Sequence, residues 1–229
     1  MTDAKVSVII PVHNGAAFLR ETLSSVLGQT RPPNEVIVVD DGSSDGSYEV
    51  AAEFARDLRY LRKENGGPAS ARNFGIAAST SPFLSFIDQD DLWHPAKLER
   101  QIACFEQDSE LDLCYTLVDL FWHPALAEEE RAYRDHRRSR NVPGYTMPTL
   151  LARRTAFDRV GPLDEGLIFG DGTDWAMRAM HGGLRIKLLP DVLLYHRMHR
   201  QNLTRQRESS EREFVHIVWS HLQRKRKSG

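Results

Sequence analysis

Continuous apolar runs alternate with helix-patterned segments through the first 90 residues of the chain. The apolar runs predict four strands, at residues 6–11, 36–39, 60–61 and 83–87. Apolar residues at helical spacing predict helices at residues 15–28, 48–54 and 69–78. Strands that are apolar throughout are typical of parallel sheets covered by helices on both faces. The pattern therefore predicts an α/β protein with a mostly parallel sheet.

The second half of the chain is less regular. Residues 111–121 predict a further strand, residues 172–180 a helix and residues 186–189 another strand. Regular structure is also expected to resume at residues 149–151. Residues 123–147 include a highly charged segment and predict a loop-rich excursion, suited to a lid or to a surface that faces an acceptor.

Polar residues follow each predicted strand of the first half. Because right-handed crossovers place the C-terminal ends of parallel strands at one edge, these residues are expected to share one crevice, where open α/β sheets bind ligands. Asp40 and Asp41 can accept hydrogen bonds from a base or ribose, and Arg72 can reach a phosphate. The predicted crevice contains His13, Asn14, Asp40, Asp41, Asn65, Gly66, Gly67, Asp88 and Asp90.

Three carboxylates, those of Asp88, Asp90 and Asp91, follow the fourth apolar run within four residues. Crowding them together costs electrostatic repulsion unless a cation joins them, and oxygen ligands suit Mg²⁺ or Mn²⁺. Such an ion can carry the phosphates of a nucleotide. The alternative is a solvated acidic turn that caps the next helix.

Composition narrows the class of protein. A length of 229 residues, with 41% hydrophobic and 27% charged residues, is typical of a single globular domain. The net charge of -2 gives no global basic field, so no nucleic-acid partner is expected. Cys104 and Cys114 match no zinc-ligand spacing and are predicted to be reduced core residues. No apolar run approaches the roughly 20 residues of a membrane helix, and the chain is predicted to be cytoplasmic.

The C-terminal end carries a weaker signal. Phe214, Ile217, Val218 and Leu222 recur at helical spacing, and residues 224–227 are all basic. The preferred interpretation is a helix that packs on the domain and ends in a charged tail. The alternative is peripheral contact with the anionic inner face of a membrane.

Four segments, in this order and spacing, resemble a known family. They are VIIPVHN at 8–14, VVDDGSSD at 38–45, NGGPASARN at 65–73 and FIDQDD at 86–91. The chain resembles family 2 glycosyltransferases from about residue 6 to residue 204. The resemblance implies the GT-A fold, a Rossmann-like, mostly parallel sheet flanked by helices. It implies one domain over 1–229, with a nucleotide-sugar half (1–105), an acceptor half (106–204) and a C-terminal helix and tail (205–229).

The resemblance also implies an activity. A metal-dependent, inverting enzyme of this family would use Mn²⁺ or Mg²⁺ and move a sugar from a nucleoside diphosphate sugar to an acceptor hydroxyl. The preferred donor is a UDP-sugar. The acceptor is a carbohydrate, a lipid-linked sugar or a protein. Among the residues carried over, Asp88 would face the ribose or sugar and Asp90 would bind the metal. His13 stands where the family more often has tyrosine. The other implied roles are base and ribose binding by Pro11, His13 and Asp41, metal binding by His199 and diphosphate binding by Arg197.

The general base departs from the family pattern. The family usually opens an acceptor-side helix with Glu-Asp, but Gly172 stands at the usual position of the base. Asp174 and Asp171 remain as candidates, with Asp174 preferred, because both lie near a helix N-terminus whose dipole favours the ionised form. The alternative is that both residues only cap the helix.

The sequence also bears on two other functions. The glycine at position 172 also fits a nucleotide-sugar-binding module that has lost catalysis. An oxidoreductase would need a GxGxxG turn after the first strand, and the chain has PVHNGAA there instead, which argues against it.

Overall fold

The computed structural model describes residues 4–133, 136, 140–205 and 217. The four apolar runs of the first half form parallel strands that pair in the order β3-β2-β1-β4. Val8, Ile9 and Ile10 are all fully buried, which means that helices cover both faces of this part of the sheet. These strands are β1 (Val6–Val12), β2 (Glu35–Asp41), β3 (Arg59–Lys63) and β4 (Phe83–Phe86).

Four helices accompany these strands: α1 (Leu19–Leu27), α2 (Ser47–Ala52), α3 (Gly67–Ala78) and α4 (Lys97–Gln107). The first helix begins four residues later than predicted. The reason is that side chains already hold the backbone before it, because Ser47 Oγ accepts from the Gly15 amide at 2.9 Å and Asp45 Oδ2 from the Ala16 amide at 3.0 Å.

The second half completes a nine-stranded sheet in the order β3-β2-β1-β4-β8-β6-β9-β5, with β7 beside β6. The pairs β4–β8, β6–β8, β6–β7 and β5–β9 are antiparallel. The expected parallel pairing is present throughout the first half, and β6 and β9 are also parallel to each other. The antiparallel pairs of the second half could not be predicted, because apolar periodicity does not encode strand direction. These strands are β5 (Leu92–Trp93), β6 (Leu113–Trp122), β7 (Val142–Gly144), β8 (Leu151–Arg153) and β9 (Ile186–Met198).

Two segments are more regular than predicted. The excursion after β6 contains a 3₁₀ turn (Pro124–Leu126) and helix α5 (Ala127–Tyr133) before it reaches β7. The strand predicted at 186–189 continues to Met198, because β9 pairs with β6 along its whole length despite a bulge. Residues 195–198 thus belong to a strand, and the late loop begins at His199. The remaining helices are α6 (Arg154–Val160) and α7 (Asp171–His181).

The core lies on both faces of the sheet. One cluster contains Val8, Ile10 and Leu23, and the other contains Ile9 and Trp175, as expected when successive strand residues point to opposite faces. The thiols of Cys104 and Cys114 are free and buried, as predicted.

Most of the C-terminal segment predicted as an amphipathic helix and basic tail lies outside the described residues, and the division into halves and tail stays a prediction. Ile217 is described and is buried. It lies so close to Gly170 that a β-carbon there would be 2.8 Å from Ile217 Cδ1. In the described ranges, no helix has the length and apolar character needed to cross a bilayer.

Candidate active site

Asp41, at the end of β2, is held by the turn that follows β3. Its Oδ1 accepts hydrogen bonds from Lys63 Nζ at 2.8 Å and from the Gly66 amide at 3.0 Å. Its Oδ2 accepts from the Gly67 amide at 2.7 Å. Gly67 has φ +86°, which favours glycine, and a β-carbon there would meet no atom within 4 Å. The turn therefore fixes the carboxylate and leaves open space beside it.

Asp40 points to the opposite face of β2. Its Oδ1 accepts from the Ser43 amide at 2.7 Å and its Oδ2 from the Tyr60 hydroxyl at 2.5 Å. Burial alone would raise the pKa of Asp40, but the hydrogen bonds from Ser43 and Tyr60 outweigh burial and hold it below its usual value. The structure thus places Asp40 in the support of the turn, apart from Asp41.

His13 is exposed and held at its edge by three neighbours. Its Nδ1 lies 2.9 Å from the Asp41 carbonyl oxygen and 3.0 Å from Asn65 Nδ2, and its Nε2 lies 3.2 Å from Asn14 Nδ2. The structure therefore brings His13, Asn14, Asp41 and Asn65 together, as predicted. Pro11 lies two residues earlier, buried within β1.

Gln89, between Asp88 and Asp90, was not singled out from the sequence. Its Oε1 accepts from the His13 amide at 2.7 Å, and its Nε2 donates to the His13 carbonyl at 3.1 Å. A β-carbon on Gly15 would lie 2.5 Å from Gln89 Oε1, so this contact requires the glycine. Gln89 joins the acidic turn to the loop that contains His13. The two residues are 76 positions apart, so only the structure reveals this contact.

Asp88 is held by a buried arginine. Arg72 Nη2 donates to Asp88 Oδ1 at 2.6 Å, and its Nη1 donates to Asp171 Oδ2 at 2.5 Å. The Arg72 side chain is 6% exposed and that of Asp88 33%. Burial would lower the pKa of Arg72, but Asp171 and Asp88 raise it above its usual value. The guanidinium therefore links Asp88 to the acceptor-side Asp171 as a charge-assisted bridge.

Asp90 contacts His199. Asp90 Oδ2 lies 2.7 Å from His199 Nε2 and 3.4 Å from Asn202 Nδ2. Asn202 Oδ1 accepts from the His199 amide at 2.5 Å, and the Phe18 ring lies 4.6 Å from the His199 ring. The structure thus brings together Asp90 and His199, which were both predicted as metal ligands, and Asn202, which the sequence did not reveal, contacts both.

Asp91 turns away from the crevice. It is buried, and its Oδ1 accepts from the Arg197 amide at 3.1 Å and lies 2.8 Å from His196 Nδ1. Burial would lower the pKa of His196, but the adjacent Asp91 outweighs burial and raises it. The three clustered carboxylates therefore separate, Asp88 to Arg72, Asp90 to His199 and Asp91 to His196, and each meets its own nitrogen base.

Arg197 lies beneath the acidic turn. Its Nε donates to the Asp90 carbonyl at 2.9 Å, and its Nη2 donates to Glu21 Oε2 at 2.7 Å. The guanidinium carbon lies 4.9 Å from the centre of the Phe18 ring and 4.7 Å from that of the Phe121 ring. The structure places Arg197 next to the predicted metal ligands, in a buried position.

The two candidate bases on α7 face different neighbours. Asp174 Oδ2 accepts from Arg178 Nε at 2.8 Å, and Arg178 also donates to the Val160 and Pro162 carbonyls. Asp171, in contrast, contacts Arg72 and through it Asp88. The structure thus brings Asp171 to the crevice and directs Asp174 toward α6.

Gly172, between them, is closely packed. A β-carbon at this position would lie 2.8 Å from Met147 Cγ and 2.9 Å from the Met147 amide nitrogen. Any larger residue, including a carboxylate, would have to displace the backbone of residue 147.

Comparison with known proteins decides the family. The sequence model of the family described as glycosyl transferase family 2 matches residues 7–161 of this chain. The chain belongs to this family. It is 34% identical over 176 residues to an uncharacterized glycosyltransferase of Rickettsia prowazekii, with 71% of this chain and 54% of the relative covered. It is 32% identical over 203 residues to glycosyltransferase AglE of Haloferax volcanii, with 83% and 66% covered. The chain thus spans about half to two thirds of these relatives' length.

Solved structures confirm the fold. Residues 1–349 of Staphylococcus aureus TarS, in complex with UDP-GlcNAc, superpose with a TM-score of 0.77 at 22% identity, over 96% of this chain and 66% of that one. The same TarS fragment in complex with UDP gives a TM-score of 0.68 at 23% identity, over 85% and 60%. The family 2 glycosyltransferase membership and the GT-A fold predicted from the sequence are both confirmed.

Proposed function

We propose that the chain transfers a sugar from a nucleoside diphosphate sugar to an acceptor hydroxyl. One observation carries the proposal: His13, Asp41, Asp88 and Asp90 come from three separate strand ends and meet at one edge of the sheet, joined by the Gln89 and Asn65 contacts. Family membership supports it, since the same edge binds ligands in open α/β sheets.

The proposed donor is a UDP-sugar. The fixed carboxylate of Asp41 would accept a hydrogen bond from the base, and the exposed ring of His13 would cover the face of the base. The open space beside Gly67 leaves room for a ligand. TarS, which shares the fold, has been solved with UDP and with UDP-GlcNAc, and this supports the choice of uridine.

A divalent ion, Mn²⁺ or Mg²⁺, fits the donor set at Asp90. Asp90 Oδ2 and His199 Nε2 face each other at 2.7 Å, and a carboxylate oxygen suits either of these ions. Asp88 is committed to Arg72 through one oxygen and is a weaker candidate ligand. Among the described residues no group of three or more metal-ligating side chains is close enough together, so the diphosphate and water would complete the shell. The bound ion would neutralise the leaving diphosphate.

We propose inversion at the anomeric carbon, with Asp171 as the general base. An acceptor hydroxyl loses its proton as it attacks, and Asp171 is the α7 carboxylate that the structure joins to the donor side. The positive charge of Arg72 compensates the buried negative charge of the Asp171 carboxylate. Asp174, preferred on the sequence, is instead bonded to Arg178 on the side of α6 and has the structural role in this proposal.

The acceptor would approach from the second half of the chain. A carbohydrate, a lipid-linked sugar and a protein all offer hydroxyl groups, and the excursion after β6 is the surface proposed to choose among them. Cytoplasmic location stays a prediction. Contact with a membrane through the basic tail stays one too, because residues 224–227 lie outside the described part of the chain.

A second function, a nucleotide-sugar-binding module without catalysis, has one specific observation in its favour. The usual base position is Gly172, and Met147 fills the space that a carboxylate would need. Turnover distinguishes the two functions: the module would bind UDP-sugars with Mn²⁺ and release no UDP from them.

The test is a thermal-shift panel of UDP, GDP, ADP and CDP with and without Mn²⁺, followed by UDP release from UDP-sugars. We expect a UDP-induced shift that Mn²⁺ enlarges, because a ligand that binds only the folded state stabilises it by mass action. Asp90→Asn should abolish the Mn²⁺-dependent part. Asp57→Asn, at an exposed position on the opposite edge of the sheet, is the matched control and should leave the shift intact. An unchanged Mn²⁺ effect in the Asp90 variant would overturn the proposal.

A further inference from the structure

Arg197 is enclosed by aromatic rings. The guanidinium carbon lies over two rings, 4.9 Å from the centre of Phe18, just before α1, and 4.7 Å from the centre of Phe121 in β6. The side chain of Arg197 is 8% exposed. A guanidinium in this position has lost most of its hydration, and the ring faces compensate part of that loss.

The polar contacts of Arg197 are directed at the protein. Its Nε donates to the backbone carbonyl of Asp90, and its Nη2 donates to Glu21, whose side chain is 57% exposed. The Arg197 amide donates to Asp91 Oδ1, and the Arg197 carbonyl accepts from Asn202 Nδ2 at 2.9 Å. Arg197 is thus bonded on four sides to residues around the acidic turn.

These contacts converge on Asp90 and His199. Arg197 fixes the backbone of Asp90, while the Asp90 side chain contacts His199. Asn202 bonds both Arg197 and the His199 amide, and the Phe18 ring contacts both the guanidinium and the His199 ring. Arg197 and its partners therefore hold the side chains of Asp90 and His199 at a distance of 2.7 Å from each other.

We propose that Arg197 is a positioning residue for the divalent-ion site and not a ligand of the diphosphate. It acts through Asp90 and His199, and the inference rests on the metal site of the proposed function. Glu21 has a defined part in this arrangement. A cation placed at Asp90 would be repelled by the nearby guanidinium, and the Glu21 carboxylate offsets that charge.

The experiment measures Mn²⁺ binding and UDP binding separately. Free Mn²⁺ is titrated by electron paramagnetic resonance without nucleotide, and UDP affinity is measured by calorimetry in EDTA and in saturating Mn²⁺. The variants are Arg197→Met and Glu21→Gln, with Arg56→Met and Glu49→Gln as controls of the same residue types at exposed positions. Glu21→Gln changes an exposed side chain, so it keeps the test valid if Arg197→Met does not fold.

We expect Arg197→Met to weaken Mn²⁺ binding by about 10- to 100-fold, the range seen when groups that orient metal ligands are removed. Glu21→Gln should weaken it by a smaller factor, because its carboxylate is exposed and acts only through Arg197. UDP affinity in EDTA should change by less than about two-fold, and the controls should match the wild type. Two results would overturn the inference: wild-type Mn²⁺ affinity in both variants, or an Arg197→Met loss of UDP affinity that is equal with and without Mn²⁺, as a direct phosphate contact would give. If the wild type binds Mn²⁺ but no nucleotide, the proposed donor is wrong, while the Mn²⁺ titration still decides the role of Arg197.

Discussion

Gly172 lies directly against Met147: a β-carbon on the glycine would be 2.9 Å from the Met147 amide nitrogen and 2.8 Å from its Cγ. The methionine side chain can shift, but the backbone of residue 147 belongs to the 3₁₀ turn Met147–Thr149, in which Thr149 Oγ1 donates to the Thr146 carbonyl at 2.9 Å. The contact joins the start of α7 to the segment before β8. It also leaves no room for a carboxylate at this position, where the resemblance to the family predicts one.

Gly172→Ala is therefore expected to destabilise the protein by about 1–3 kcal/mol, the usual cost of overpacking, although alanine is the better helix former. Urea unfolding measures the change. Gly46→Ala, at the start of α2, is the matched control, because its β-carbon would make only ordinary contacts at 3.8 Å. A Gly172→Ala variant as stable as the wild type would mean that residue 147 moves freely and that a base could be installed at position 172.

Asp171→Asn and Asp174→Asn should have opposite profiles. Removing the charge of Asp171 should lower UDP release from a UDP-sugar by about 10²–10⁴-fold, as expected for a general base, with UDP affinity within a few-fold. Removing the charge of Asp174 should weaken its partly buried pair with Arg178 and cost about 1–3 kcal/mol of stability, with turnover nearly unchanged. Each variant serves as the other's control, because both change one carboxylate on the same helix.

The assignment of the base fails if Asp174→Asn abolishes turnover while the protein stays folded. It fails too if neither substitution affects turnover. UDP release should be measured well below the unfolding temperature of both variants, so that lost stability is not mistaken for lost catalysis.

The sequence could predict the parts of the site that end strands. His13, Asp41, Asp88 and Asp90 each follow an apolar run, and parallel pairing alone brings those ends together. The bridge from Arg72 to Asp171 could not be foreseen, since 99 residues separate the two and the packing of α7 decides which carboxylate faces the crevice. The sequence predicts Asp40 in the same crevice as Asp41 because both follow the second apolar run, but consecutive strand residues point to opposite faces.

His13 is predicted to contribute to affinity for the nucleobase. Its ring is held at the edge by the Asp41 carbonyl and Asn65, so its face can pack on a base without further ordering. His13→Ala should weaken UDP binding by about 0.5–1.5 kcal/mol, the usual worth of an aromatic contact, whereas His13→Tyr should retain it. Calorimetry with Mn²⁺ present measures both.

Inorganic pyrophosphate is the matched ligand for that comparison, because it offers the same phosphates without a base. Its affinity should be equal in the wild type and in His13→Ala. An equal loss for UDP and pyrophosphate would show that His13 supports the loop as a whole and does not contact the base.

Lys97 gives a prediction about pH, because its amine is fully buried in the core. Its Nζ donates to Gln101 Oε1 at 2.8 Å and to Ser85 Oγ at 3.1 Å, both neutral groups, and lies 4.1 Å from the centre of the Trp93 ring. Burial lowers the pKa of Lys97 from 10.5 to about 7, although the nearby Cys114 opposes the shift. Between these two values the unfolded chain holds a proton that the folded chain has lost. The free energy of unfolding must then rise with pH across this window, by up to about 1.4 kcal/mol per pH unit from this one group.

Lys97→Met should remove this slope, because the methionine fills a similar volume and carries no charge. Urea unfolding of both proteins from pH 6.5 to 9.5 measures the difference, in which other titrating groups cancel. The variant should be the more stable protein at pH 6.5, and its advantage should shrink as the pH rises. Lys5→Met, at an exposed position, is the control and should follow the wild type. Parallel curves for the wild type and Lys97→Met would mean that the buried amine stays charged throughout.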